Sequence, residues 1–396
     1  MTDIVGADLP AEGASSGTLG GLPRRDLIIL PLLSLATLLV LLVFSEIGAR
    51  LYLPEAVDDA CRTHGTAPGS THGIPNCQSE LKLPEGLKVS YTYNECGYRT
   101  DAPCGPRPPG AARIAVIGSS MAQGYGVAYD DTFAAQAGRR LTQLCRREVQ
   151  IENLGAVGNS ILGMHSQMDE ALSLHPDTVI MVIAPFDVWS LSNFPAFGTA
   201  AASTFAPPGA PQAGEPTNLL HRAQVELKSS RALFMAQHLM FKNPSFYVKA
   251  YLLYGDKADF LRQPFSPPWE QRFAEFERIV SDMADKAHRA GVGFALLLGP
   301  QQAQAILLSM KNLPPGVDPR AFGRRMNEIA ARHGMFMINT TDAFADVQRP
   351  ELDFFPVDGH PEEKGNVVMA DATVRRLVAG DVAPFAACIG GQSASN

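Results

Sequence analysis

The stretch RIAVIGSSMAQGYGV, residues 113–127, runs an apolar segment straight into Gly-Ser-Ser and then spaces glycines at Gly124 and Gly126. Residues 113–117 have the composition of a short buried strand, and Gly118 lets the chain turn sharply behind it. The Ser120 hydroxyl would then stand at the strand's carboxyl end, open to a ligand. Serine and glycine are also the commonest turn residues, so a nucleophile here needs partners elsewhere in the chain. A serine becomes reactive only when a base takes its proton, the base is held in one tautomer, and donors meet the oxyanion. DFFPVDGHPEEKG supplies His360 as that base and Asp358 as its orienter, ahead of Pro361 as a favourable first residue for a final helix over 361–379. In ENLGAVGNS, Gly155 and Gly158 frame a turn that can bring a backbone N–H close to a ligand. VIMVIAPFDVWS sets Phe186 and Asp187 just past a strand end, where both are candidates for touching substrate. His165, His175 and His333 fall in helical or connecting segments and read as solvated or packing residues. This chemistry requires no cofactor and no metal.

Those residues need a frame that brings them together. From Arg113 onward, short apolar strands over 114–117, 149–154, 178–184, 293–298 and 335–339 alternate with helical patterns. The clearest helix covers 269–290, with Trp269, Phe273, Phe276, Val280, Met283 and Ala287 at spacings of three and four, closed by Gly291. Another starts at Asp318 as N-cap, carries Phe322, Met326 and Ile329, and stops near Gly334. This alternation predicts an α/β fold in which a parallel sheet is covered on both faces. Such sheets hold their sites in loops at the carboxyl ends of the strands, and Ser120, Gly158, Asp187 and the Asp358–His360 pair all fall there. Between about 190 and 268 the rhythm breaks into an insertion. A Pro/Ala-rich loop over 197–216 precedes a helical stretch over 219–241, which forms a lid, a partner surface or plain surface decoration.

The chain has 396 residues, 46% hydrophobic and 18% charged, with a net charge of −7. That length suffices for one large domain with accessory segments. Its basic residues are scattered, so the clustered basic face of a nucleic-acid binder is missing and no nucleic acid is expected as partner. Residues 1–26 are Gly/Ala/Ser-rich and read as a disordered cytoplasmic stub. Residues 27–44 form an uncharged apolar run of 18, about 27 Å as a helix, which matches the hydrocarbon thickness of a bilayer. A cleaved signal peptide is the rival reading, but its apolar region is normally shorter and no small-x-small site follows cleanly. The expectation is a retained transmembrane helix. Arg24 and Arg25 place the amino terminus inside, with Arg50 weakening the bias, and everything after about Leu53 outside the cytoplasm. Cys61, Cys77, Cys96 and Cys104 lie in a Gly/Pro/Thr-rich segment over 54–112, where disulfides in an oxidising compartment would compensate for few apolar runs. A zinc site is the alternative, although no C-x-x-C pair is present. Cys145 and Cys388 are either a long-range pair or buried thiols. CGPRPPGAAR marks the boundary to the main domain over 113–390.

In order and spacing, VIGSSMAQGYGV, ENLGAVGNS, APFDV and VDGHPEEKG resemble the four sequence blocks of the SGNH/GDSL hydrolases, over roughly 113–377 apart from the insertion. By that resemblance Ser120 corresponds to the nucleophile, the backbone N–H groups of Ser120 and Gly158 to the oxyanion hole, and Asp358 with His360 to the acid and base. The resemblance implies a three-layer α/β/α flavodoxin-like fold with a five-stranded parallel sheet. It also implies an esterase or acyltransferase working through an acyl-serine. Bacterial single-span members of the inner membrane, with the domain on the periplasmic side, look closest. That group is often linked to acyl groups on cell-surface glycans, so an O-acylated glycan or lipid is the expected substrate. The alternative is a non-catalytic binding or assembly protein of the cell envelope. Two residues depart from the pattern. Ser119 stands where the family usually has Asp, and Phe186 stands where its third block carries the oxyanion Asn. Phenylalanine donates no hydrogen bond, and losing one oxyanion donor typically costs about 10²- to 10³-fold in rate.

Overall fold

The computed structural model describes residues 25–53, 55–194, 196–198, 230–380, 382 and 384–388. Its centre is a five-stranded, all-parallel sheet. The strands β5 (Ala112–Gly118), β6 (Val149–Asn153), β7 (Thr178–Ile183), β8 (Gly293–Leu298) and β9 (Phe336–Asn339) lie in the order β6-β5-β7-β8-β9. They coincide with the apolar runs to within two residues, because a strand buried on both faces reads as continuous hydrophobicity. Alternate side chains serve opposite faces. Ala115, Ile117, Val179, Met181, Ile183, Leu296 and Leu298 enter one core, while Ile114, Val116, Ile180, Val182, Ala295 and Leu297 enter the other.

Four helices pack on the first face: α4 (Ile161–Ser166), α5 (Met168–Ser173), α9 (Pro267–Arg289) and α11 (Ala321–Arg332). The second face is covered by α3 (Phe133–Cys145) and α12 (Glu363–Ala379). The result is the expected three-layer α/β/α arrangement. In α9 the stripe from Trp269 to Ala287 is buried, with Trp269 fully enclosed. Truncating Trp269 to alanine would leave a cavity costing about 3–5 kcal/mol.

Two helix starts differ from expectation. Asp318 is not an N-cap: its carboxylate accepts from Arg320 N (3.0 Å), its carbonyl accepts from Ala321 N (3.2 Å), and that turn delays α11 to Ala321. Pro361 does not open the last helix either. It is engaged in a bridge with Phe354, and α12 begins at Glu363.

The cysteine-bearing segment, read as Gly/Pro/Thr-rich with few apolar runs, forms two hairpins. β1 (Arg62–His64) pairs with β2 (Thr71–Gly73), and β3 (Gln78–Lys82) pairs with β4 (Lys88–Thr92). All three cysteine pairs are disulfides: Cys61–Cys77, Cys96–Cys104 and Cys145–Cys388. Leu81, Leu83, Tyr91 and Tyr93 of this segment share a core with Val127 and Phe355, so the hairpins rest directly on the loops that bear the candidate site.

The amino-terminal helix α1 (Asp26–Tyr52) spans 27 residues, longer than the apolar run, and Ala49 is its single buried residue. The stub read over 1–26 lies outside the described residues up to position 24, and Asp26 already belongs to α1. Much of the insertion, 199–229, likewise lies outside them. Of the helical stretch read over 219–241, the described part is α7 (Arg231–Phe241), followed by α8 (Pro244–Tyr251) and a 3-10 turn over Gly255–Leu261. Short helices α2 (Ser120–Gln123), α6 (Pro185–Ser190) and α10 (Gln302–Ser309) follow the carboxyl ends of β5, β7 and β8.

Candidate active site

The turn that carries Ser120 is set by close packing. A Cβ on Gly118 would lie 2.5 Å from Ala122 Cβ and 3.0 Å from the Val182 carbonyl oxygen, so only glycine lets β5 pass this near to α2. Gly155 is constrained in the same way, its Cβ position being 2.6 Å from Ala122 Cβ. Ser120 therefore begins α2 immediately beyond the strand. The far end of α2 is held by Arg99, a buried guanidinium that donates to the carbonyls of Gln123 (2.8 Å), Gly124 (2.7 Å) and Val127 (2.6 Å). Asn153 Nδ2 adds a hydrogen bond to Ala122 O (2.8 Å). These donors satisfy carbonyls that a one-turn helix leaves open.

Across the sheet edge, the loop after β9 returns His360 to Ser120. Ser120 Oγ and His360 Nε2 are 2.6 Å apart, and His360 Nδ1 is 2.5 Å from Asp358 Oδ1. An ionised carboxylate only accepts, so Nδ1 carries the proton and Nε2 is left to receive one from the serine hydroxyl. Burial raises the Asp358 carboxyl, but the charge and hydrogen bonds of His360 outweigh it and hold the group below its ordinary value. The loop closes on itself: Gly359 N donates to Phe355 O (2.8 Å), Phe355 N donates to His360 O (2.9 Å), and Gly359 takes a φ of 85° that favours glycine. Tyr125 packs on the imidazole at 5.1 Å between centroids.

Three expected residues, Ser120, Asp358 and His360, line one pocket of about 180 Å³ together with Phe186 and Asp187. Gly158 is not part of this lining. It sits at φ 79° in the loop after β6, which is tied to the Ser120 turn by Ala156 N and Asn159 Nδ2, both donating to Gly118 O (3.2 and 3.3 Å). Among the described residues, the N–H groups of Ser120 and Gly158 donate to no protein acceptor.

Asp187 lies on the floor of the pocket with its carboxylate turned inward. Oδ2 accepts from Ala184 N at 2.7 Å, and Ser119 hydrogen-bonds the same group. Burial pushes this carboxyl up to about 6 against those bonds and the charge of His360. Phe186, one residue earlier on α6, is 45% exposed and leans on Trp189. Among the described residues no three His, Cys, Asp or Glu side chains are grouped to hold a metal ion.

Residue types alone did not reveal three further contributors. Arg99 is one. Glu85, in the β3–β4 turn, is the second: its carboxylate accepts from Val357 N (3.0 Å) and Asp358 N (2.8 Å) and pairs with His238 Nδ1 of α7 (2.8 Å). Lys257, from the 3-10 turn of the insertion, is the third and lines the pocket itself. Each arrives from a segment remote in sequence, and no local spacing announces it.

This strand-end serine with its histidine and aspartate lies inside residues 116–368, which match the GDSL-like Lipase/Acylhydrolase family. The chain belongs to that family. Its class of reaction is the hydrolysis of acyl esters, and the sheet described above is the family's fold. Among solved structures, the acetylxylan esterase Axe2 from Geobacillus stearothermophilus is 15% identical over 67% of this chain and 94% of its own, with a TM-score of 0.39. TesA is 15% identical over 67% of this chain and 98% of its own, with a TM-score of 0.37. LAE5, an α/β hydrolase from the metagenome of Lake Arreo, is 17% identical over 67% and 94%, also at 0.37. No curated protein matches the chain.

Proposed function

We propose that the chain is a membrane-anchored serine esterase that removes or transfers O-acyl groups of an extracytoplasmic carbohydrate or lipid. The reading is carried by one observation, the unbroken hydrogen-bonded line from Asp358 through His360 to Ser120. Ser120 Oγ attacks the ester carbonyl while His360 Nε2 takes its proton. The proton then passes to the departing alcohol oxygen as the bond to the acyl carbon breaks. Asp358 keeps the imidazole in its tautomer and favours the imidazolium that forms. The acyl-serine is resolved by water, or by a second hydroxyl in a transferase, with His360 acting again as base. The N–H groups of Ser120 and Gly158 serve as oxyanion donors. No cofactor enters any step.

The outward placement rests on the apolar helix α1 and on three disulfides, which persist in oxidising compartments. A second reading, a binding or assembly protein that keeps the fold without turnover, draws on Phe186, an apolar residue where a third oxyanion donor would stand. A fluorophosphonate probe separates the two, because only an activated serine reacts efficiently. Labelling of wild type and its loss in Ser120→Ala is the expected result. A wild type indistinguishable from Ser120→Ala, in labelling and in turnover of varied acyl esters, would overturn the esterase reading.

A further inference from the structure

Lys257 faces the same small pocket as Ser120 and His360. Its position is fixed by the residues that follow it: Ala258, Phe260 and Leu261 of the same turn are buried in the core, which anchors the backbone just beyond the lysine. Among the described residues its ammonium has no carboxylate partner, and the acids around it are committed elsewhere. Asp256 is held by Arg272 (2.6 and 2.9 Å) and by Trp189 Nε1 (3.1 Å). Asp187 is turned to Ala184 N and Ser119, and Asp358 is taken by His360. Burial lowers the pKa of the lysine.

What surrounds the ammonium is aromatic. Nζ lies 5.0 Å from the Phe186 ring centroid, 5.7 Å from that of Trp189 and 5.8 Å from that of Tyr254. Ring faces attract a cation, by about 0.5–1 kcal/mol at exposed sites and about 2 when desolvated. They do not use its three N–H donors as an oxygen ligand would. A part-buried cation with unspent donors, beside a nucleophile, is suited to an anion that arrives with the substrate.

We propose that this pocket takes an acyl ester whose substrate also carries an anionic group, which Lys257 binds next to Ser120. The inference deepens the esterase reading and rests on it. The shared chemistry is a carboxylate or a phosphate. An acidic sugar is the source the rim favours, because Phe186 and Tyr254, 45% and 54% exposed, offer flat apolar faces against which the C–H face of a pyranose can lie. Phe186 then gains a purpose: it gives up an oxyanion donor and provides one wall of the lysine's aromatic seat.

The test compares three acetates on the full-length protein: an O-acetylated methyl glucoside, the corresponding O-acetylated glucuronide, and acetylated glycerol phosphate. Wild type should prefer the glucuronide over the glucoside by about tenfold or more in kcat/KM, less so at high salt, because screening weakens the attraction. Lys257→Met should bring that ratio close to one, and Lys257→Arg should keep most of it. A preference for the glycerol phosphate over the glucuronide, lost in the same variant, would support the anion site and name phosphate as its source. Equal losses on acidic and neutral esters in Lys257→Met would overturn the proposal and leave the esterase intact, since the lysine would then serve only the oxyanion. If no acetate turns over, titration calorimetry on Ser120→Ala and on Ser120→Ala/Lys257→Met reads the same preference as affinity. Equal affinities, or no binding of any of the three, would overturn it.

Discussion

In the proposed reaction Ser120, His360 and Asp358 act as one unit, so their removal is not additive: without the base the serine is an ordinary alcohol, and without the serine the base has nothing to activate. Ser120→Ala and His360→Ala should each lower turnover of a short-chain aryl ester by about 10³-fold or more with unchanged folding, measured by initial rates beside thermal melting. Phe186 is a different kind of residue, tolerated rather than required by the chemistry. Phe186→Asn should raise ester turnover by up to about 10²-fold if the amide reaches the oxyanion, and should weaken the aromatic seat of Lys257 at the same time. A third prediction concerns Glu152 on β6, whose carboxylate is fully buried, lies 3.7 Å from Arg113 and has neither oxygen hydrogen-bonded. Burial, partly offset by Arg113, pushes it up to about 7, from 4.5 in the absence of structure. The folded state therefore holds a proton that the unfolded state releases between those values, and stability falls as pH rises from about 4.5 to about 7. Asp187 adds the same sign over 3.8 to about 6. Urea midpoints across that window should decline less in Glu152→Gln than in wild type, and parallel curves would refute the assignment.

Each site residue is delivered by an element, and the elements differed in how plainly the sequence announced them. β5 to β9 are legible because a doubly covered strand leaves a dense apolar run. Ser120, Phe186 and Asp187 are legible because they follow those runs directly, and the Asp358–His360 pair because it stands just ahead of the last helix. The start of α11 was misplaced because a local turn, with Asp318 accepting from Arg320, looks like a cap in sequence yet is not one. The four strands of the cysteine segment were missed because short hairpins that bury only a few side chains and are pinned by disulfides need little apolar pattern. What sequence could not reveal is convergence: Glu85, in a turn between two such strands, meets the backbone of Val357 and Asp358 more than 270 positions later. That contact predicts a positioning role. Glu85→Ala would strip the acceptor from the N–H groups of Val357 and Asp358 and leave His238 without its partner. It should lower kcat by about tenfold with KM little changed and shift the acid limb of the pH–rate profile, while Glu85→Gln, which keeps one acceptor oxygen, should retain most activity. An Ala variant with wild-type kcat and pH profile would show the turn to be mere scaffolding.

At the scale of the whole chain, two links join segments far apart in sequence. Cys145–Cys388 ties the end of α3 to the carboxyl-terminal segment across 243 residues, a closure worth about 5 kcal/mol in the loop-entropy account. The other link is polar and belongs to the apolar helix α1. Glu46, near the end of α1, accepts from Ser230 Oγ (2.8 Å), Arg231 N (3.1 Å) and Ala232 N (3.0 Å), so a carboxylate of the apolar helix caps the amino terminus of α7. Through His238 and Glu85, α7 in turn reaches the loop of Asp358. A signal peptide cut carboxyl-terminal to Glu46 would remove that cap, whereas a retained anchor keeps it and fixes the pocket at a set height above the membrane. The retained anchor makes three linked expectations. A phosphatase fused after Leu53 should be active outside the cytoplasm, and the full chain should stay with membranes through a carbonate wash, its amino terminus intact. Glu46→Ala should lose the cap, about 1 kcal/mol, and lower the melting temperature of the detergent-solubilised protein without releasing it from the membrane. Recovery of a soluble chain that begins beyond position 46 would show instead that the apolar run is a cleaved leader, and that the α1–α7 contact does not outlast export.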